Sequence, residues 1–220
     1  MALSVGARLE VVRAEILEAA TAAGRSHESV QLVAVSKRHP ISSIEAAYEA
    51  GQRVFGESYA DELVAKVSAT RHLEGIRFRF IGHLQRNKAA RVVAHACAVD
   101  SVSSLRLLRA LGRHATQRLE VLLQVQVIEE ATKSGAPINE LEGLVEAAQH
   151  EGTLHLAGLM TLPPQDPVQA KRAFTELARA ASSHSLRTLS MGMSSDLRLA
   201  IECGSTQVRV GTAIFGPRPA

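Results

Sequence analysis

Cysteine is scarce in this 220-residue chain: Cys97 and Cys203 lie far apart and in no CxxC pair. That excludes the usual zinc-ligand spacing and a disulfide framework, and fits a reducing, cytoplasmic compartment. Tryptophan is absent and aromatic residues make up 3% of the chain, so little is available to stack on bases. The net charge of +3 is spread over Lys and Arg mixed with Asp and Glu along helical stretches. This reads as solvated helix faces with a mild attraction for anions, not as a nucleic-acid surface. No apolar run approaches the roughly 18 residues of a membrane span, and Arg8, Glu10, Arg13, Glu15 and Glu18 interrupt the first segment where a signal peptide has an uncharged core.

What is present is alternation. Short apolar runs recur between longer segments with apolar residues at helical spacing, the sequence form of repeated βα units. Eight strands are predicted: Gln31 to Ser36, Gln52 to Phe55, Arg77 to Ile81, Ala98 to Asp100, Glu120 to Val127, His155 to Leu159, Thr188 to Met191 and Gln207 to Val210. Pro40 and Gly51 bracket a helix over Ile41 to Ala50, and Pro137 and Gly152 bracket one with Leu141, Leu144, Val145 and Ala148 on one face. Gly204 stops the stretch Leu197 to Cys203. An N-terminal helix with Leu9, Val12, Ile16 and Leu17 on one stripe precedes the first strand.

Strands that alternate with helices pair in parallel, and eight units can close on themselves. The expectation is an α/β fold, a single (β/α)8 TIM-type barrel with an extra N-terminal helix, in one domain over residues 1–220. An open doubly wound sheet is the alternative. Its dinucleotide form has GxGxxG in the first βα turn, whereas that turn here is Ser36-Lys37-Arg38-His39-Pro40, without glycine.

In a barrel, chemistry collects on the loops after the strands. Lys37 lies there, and a partly desolvated lysine can attack a carbonyl to form an imine. By position alone an ordinary surface lysine ending a strand is the better reading. After the eighth strand, Gly211 and Thr212 offer backbone N–H groups and a hydroxyl that can cradle a phosphate. After the seventh, Ser190-Met191-Gly192-Met193-Ser194 leads Ser194 toward a helix N-terminus, with Asp196 expected one turn in. Each glycine or serine alone is also an ordinary turn or cap. Together with one lysine, the two anion sites suggest a ligand bearing a phosphate and an aldehyde. Lys133 and the group Arg86-Asn87-Lys88 read as solvated surface charges, and His83 as structural.

The segments Leu32 to Lys37, Phe55-Gly56-Glu57, Phe80 to Gln85 with Asn87-Lys88, Lys133-Ser134-Gly135, Gly158-Leu159-Met160, Leu189 to Ser194 and Val208 to Gly216 together form a pattern. In that pattern the chain resembles the pyridoxal phosphate homeostasis proteins, non-catalytic relatives of the alanine racemase barrel. The resemblance implies pyridoxal 5'-phosphate (PLP) held as an aldimine on Lys37, with its phosphate on Ser194, Gly211 and Thr212. It also implies Arg209 near the pyridine nitrogen, and Ser58 and Met191 beside the cofactor. A fixed cation there disfavours protonation of that nitrogen and weakens the ring as an electron sink. The family usually has Asn where this chain has Ser58, and two acidic residues where this chain has Ser195 before Asp196.

The implied function is intracellular PLP homeostasis: storage, protection and delivery to PLP-dependent apoenzymes, without catalysis. The competing reading is a PLP-dependent racemase. Alanine racemases take a tyrosine base from a further β-domain of the partner subunit, whereas this sequence ends at Ala220 and its tyrosines are Tyr48 and Tyr59. A monomer is therefore expected. A third reading, a cofactor-free Schiff-base aldolase, would give no visible chromophore.

Overall fold

The computed structural model describes residues 3–128 and 134–217. Nine parallel strands are present among them: β1 (Gln31–Val35), β2 (Val54–Glu57), β3 (Arg77–Phe80), β4 (Ala98–Val102), β5 (Leu119–Gln126), β6 (Ala136–Pro137), β7 (Leu154–Met160), β8 (Thr188–Ser190) and β9 (Gln207–Val210). Eight of them close in the order β1-β2-β3-β4-β5-β7-β8-β9, and β9 pairs back to β1 through Gln31 with Gln207 and Ala34 with Val210. The two-residue β6 pairs only at the end of β5. The chain thus forms a (β/α)8 barrel.

The helices are α1 (Val5–Ala22), α2 (Ile41–Glu49), α3 (Ala60–Ala69), α4 (Ala89–Val93), α5 (Leu105–His114), α6 (Leu141–His150), α7 (Pro167–Ser183), α8 (Leu197–Glu202) and α9 (Thr212–Phe215). Each barrel strand is followed by one of α2 to α9. The last of these is a single turn, too short to cover its strands, and α1 fills the gap by packing against α8, α9 and α2. Ser4 caps α1 by accepting the Ala7 N–H, and Leu9, Val12 and Ile16 are buried. Leu17, expected on the same stripe, is instead exposed, because the face bearing it turns away from the barrel.

Several boundaries differ from expectation. Gln52 does not enter β2: its amide donates to the carbonyls of Leu32 and Val54, and the strand starts at Val54 and runs to Glu57. β4 continues past Asp100 to Val102. Gly51 and Gly204 take left-handed backbone at the ends of α2 and α8, as their helix-stopping role requires.

Phe78 and Phe80 of β3 join the apolar layer beneath the helices, while Arg79 between them turns to the barrel interior. There its guanidinium meets Asp100 at 2.7 Å and Glu120 at 2.8 Å. Burial opposes the charge, but the two carboxylates more than offset it, and the Arg79 pKa lies above its ordinary value. Asp100 also accepts from the Gln207 amide at 2.6 Å. That bond joins β4 to β9, four strands apart, and so crosses the interior.

Candidate functional site

The seven residues singled out in the sequence fall on four neighbouring strands, in the spatial order β2-β1-β9-β8. Ser58 follows β2, Lys37 follows β1, Arg209 lies in β9 with Gly211 and Thr212 just beyond it, and Met191 and Ser194 follow β8. All but Arg209 lie past the carboxyl end of a strand, at one mouth of the barrel. Met191 and Arg209 are buried, Lys37 and Ser58 are half-buried, and Ser194 and Thr212 are exposed.

Lys37 occupies a tight turn in which the His39 N–H donates to the Ser36 carbonyl at 3.0 Å. Arg38 completes the turn at φ 62°, a left-handed conformation that costs a non-glycine residue about 1–2 kcal/mol. Both peptide groups beside Lys37 are held. The Ser36 carbonyl accepts from Lys66 Nζ at 2.7 Å, and the Arg38 N–H donates to Glu62 Oε2 at 2.7 Å. The Ser36 hydroxyl donates to Glu57 Oε1 at 2.6 Å. Lys66 Nζ bridges the set, donating also to Glu57 Oε1 and Glu62 Oε2, each at 2.8 Å.

Glu57 is fully buried, and its Oε2 has no hydrogen-bond partner among the described residues. Burial pushes its carboxyl above the ordinary value although Lys66 and Ser36 pull it down. Partial burial also pushes Glu62 up, but its bonds from Lys66 and the Arg38 N–H outweigh this, and its pKa is lowered. Sequence reasoning missed this cluster. Glu62 and Lys66 stand four apart on a helix, which in a sequence reads as an ordinary surface pair.

Across the mouth, Gly192 takes φ +99°, and a Cβ there would come within 2.6 Å of the Ala200 side chain. Only glycine fits this turn. The loop after it is closed by Asp196, whose carboxylate accepts the Met193 N–H. Asp196 was expected inside the helix; it is the residue before α8, because its side chain serves the turn and not the helix dipole. Burial raises its pKa, against the pull of the Met193 N–H and Arg209. Ser194 also lines a cleft of about 560 Å³ with Pro163, Pro164, Met193 and Asp196. On β9, Gly211 lies so close to β1 that a Cβ would stand 3.2 Å from the Val35 carbonyl. This closeness brings the first turn of α9, with its unpaired N–H groups and the Thr212 hydroxyl, beside the Lys37 loop.

Arg209 is buried, with its guanidinium donating to Ser190 Oγ at 2.7 Å and the Thr161 carbonyl at 2.9 Å. Neither partner is a carboxylate. Desolvation lowers its pKa, while the more distant Asp100 and Asp196 counteract. Ser190 Oγ also receives the Gln207 amide, so Arg209 sits at the end of the interior chain that runs through Gln207, Asp100 and Arg79. The ion pair that would give Arg209 a purely structural role is absent among the described residues.

Of the remaining residues, His83, Arg86 and Asn87 are exposed beside a separate cleft on the β3 and β4 loops. Lys133 lies outside the described residues. No cluster of three or more metal-ligating side chains occurs among the described residues, and no described helix is long and apolar enough to cross a membrane. The donor set therefore consists of one half-buried amine, hydroxyl and helix-end N–H donors on two adjacent turns, and one buried guanidinium without a carboxylate. These groups fit a ligand that joins an aldehyde, a phosphate and an uncharged basic ring atom, as PLP does.

Comparison with known proteins gives the same family as the residues. The family model described as "Alanine racemase, N-terminal domain" matches residues 9–219. A protein of Vibrio cholerae named "Pyridoxal phosphate homeostasis protein" is 41% identical over 229 residues, covering 98% of this chain and 97% of that protein. The solved structure of PipY from Synechococcus elongatus with PLP bound is 32% identical with a TM-score of 0.86, covering 97% of this chain and 100% of that one. Alanine racemase from Streptomyces coelicolor shares the fold, at 22% identity and a TM-score of 0.73, but this chain covers only 60% of its length.

Proposed function

The chain belongs to the alanine racemase N-terminal-domain family, among the pyridoxal phosphate homeostasis proteins, and from that premise we propose that it is a single-domain, monomeric, cytoplasmic PLP carrier without catalytic activity. It binds PLP covalently through Lys37 Nζ, stores it, shields its aldehyde from stray amines and releases it to PLP-dependent apoenzymes. What supports this reading is that Lys37, Ser194 and Thr212 follow the carboxyl ends of neighbouring strands at one barrel mouth, and that the buried Arg209 on the strand between bonds to neutral oxygens.

When bound, PLP supplies a reactive aldehyde on an aromatic ring that can act as an electron sink. Ser194, Thr212 and the N–H groups beyond Gly211 would hold its phosphate, on the turns that follow β8 and β9. Ser58, shorter than the family's usual asparagine, borders the opposite side of Lys37. Arg209, buried and bonded to neutral oxygens, would be the residue to meet the ring nitrogen; a fixed cation there would disfavour its protonation and so give carbanion chemistry little support. Neither tyrosine supplies a well-placed second base. The Tyr48 hydroxyl donates to the Glu74 carbonyl away from the mouth, and the Tyr59 ring is exposed under the Arg38 guanidinium at 5.6 Å.

The test is an absorbance spectrum with PLP, before and after borohydride, followed by mass mapping. A visible band that borohydride abolishes, with a pyridoxyl adduct on Lys37 and none in Lys37→Ala, is the expected result. No band and no adduct would refute the ligand assignment. Measurable alanine racemisation, lost in Tyr59→Phe, would overturn the non-catalytic part alone.

A further inference from the structure

Two acceptors of the Lys66 ammonium are groups that set the path of the Lys37 turn. The Ser36 carbonyl precedes Lys37 directly, and Glu62 Oε2 is the same oxygen that takes the Arg38 N–H just after it. The third acceptor, Glu57 Oε1, takes the Ser36 hydroxyl. Three ammonium protons meet three acceptors, and those acceptors tie together the ends of β1 and β2 and the first turn of α3. Lys66 is itself buried, at 5% exposure, and its side chain is committed to this set. Sheet pairing ends just before the turn: the last β1–β2 partners are Val35 and Gly56, and the Ser36 N–H reaches back to the Gly56 carbonyl.

We propose that Lys66 and Glu62 are positioning residues for Lys37: they clamp the peptide groups on its two sides, hold Arg38 in its left-handed conformation, and so fix the direction in which the Lys37 amine leaves the backbone. This rests on the reading of Lys37 as the reactive amine. Neither residue touches the ligand. Their effect is on the orientation, and so on the rate, of a reaction at a neighbouring side chain, where small misplacements are costly.

The test measures Lys37 reactivity in two ways. One is trapping with PLP and borohydride, in which Nζ bonds the aldehyde carbon, water leaves and hydride reduces the resulting C=N to an amine. The other is competitive acetylation of all lysines with trace acetic anhydride in protein freed of PLP, read by mass spectrometry. Glu62→Ala changes a partly exposed helical position and is expected to fold; it should slow trapping on the order of ten- to a hundredfold and shift the acetylation of Lys37 relative to the other lysines. Glu62→Gln, which restores an acceptor for the Arg38 N–H, should recover most of the rate. Leu144→Ala, buried in α6 away from the mouth, controls for general loss of stability and should leave both readouts unchanged.

Equal trapping and acetylation in wild type, Glu62→Ala and Glu62→Gln would overturn the proposal, as would an equal loss in Leu144→Ala. If wild type is not trapped by PLP at all, the PLP reading fails. Acetylation of Lys37 still decides the positioning role by itself.

Discussion

Two buried cations flank the Lys37 loop, and they are treated in opposite ways. Lys66 gives its three protons to two carboxylates and a carbonyl, whereas Arg209, among the described residues, donates to a hydroxyl and a carbonyl. Burying a charge is expensive unless it is paired, so the two sites call for different explanations. The neutralised cation holds the scaffold together. In the proposed reading the under-neutralised one is kept for a ligand, while the interior chain through Ser190, Gln207 and Asp100 supplies a distant negative charge.

The sharpest way to break this comparison is to delete each cation in turn. Lys66→Met strands Glu57 and Glu62 and is expected to cost about 3–5 kcal/mol of unfolding free energy in urea. Arg209→Met removes hydrogen bonds to neutral groups only and should cost within about 2 kcal/mol. Equal losses would show that Arg209 is as structural as Lys66. Ligand-induced stability comes next: at a hundredfold excess of PLP over its Kd the wild type should gain about 2.7 kcal/mol, read from urea denaturation. Arg209→Met should gain less than half of this at the same PLP concentration. An undiminished gain would remove Arg209 from the site.

The smallest effect concerns Glu57. Its folded-state pKa is raised, so between the unfolded and folded values the native state holds more protons than the unfolded one, and stability falls as pH rises through that window. Glu62, with a lowered pKa, acts the other way, losing stability as pH drops below its ordinary value. Glu57→Gln keeps an oxygen for Ser36 and Lys66 but cannot ionise, and should flatten the decline on the high side of the ordinary glutamate range while leaving the acid side unchanged. A pH–stability curve identical to wild type would show that Glu57 is ionised without penalty.

The eight barrel strands and the N-terminal helix were legible because strand and helix periods differ and because each parallel return demands a helix. Misreadings occurred where a polar side chain had a partner the sequence does not reveal. Asp100 reads in the sequence as ending β4, yet the strand runs past it, since Arg79 and Gln207 donate to its carboxylate inside the barrel. Gln52 was read as opening β2 because its bonds to two carbonyls are invisible in a sequence. For the site, Lys37, Gly211 and Thr212 followed from their places after strands, while the roles of Arg209 and Ser58 came from resemblance. The clamp around Lys37 was hidden altogether, since Glu57, Glu62 and Lys66 acquire their meaning only when β1, β2 and α3 converge.

The packing of α1 against α8 and α9 also sets an order in time. Arg198 reaches Glu18 across 180 residues, and β1 pairs with β9 over a similar span. At roughly 5–20 residues per second on a ribosome, that stretch takes on the order of ten to forty seconds to appear. Through that interval the first strand and its lysine are already made while the strand that completes the mouth is not. On the proposed reading of the site, PLP loading would then wait until synthesis has passed Val210.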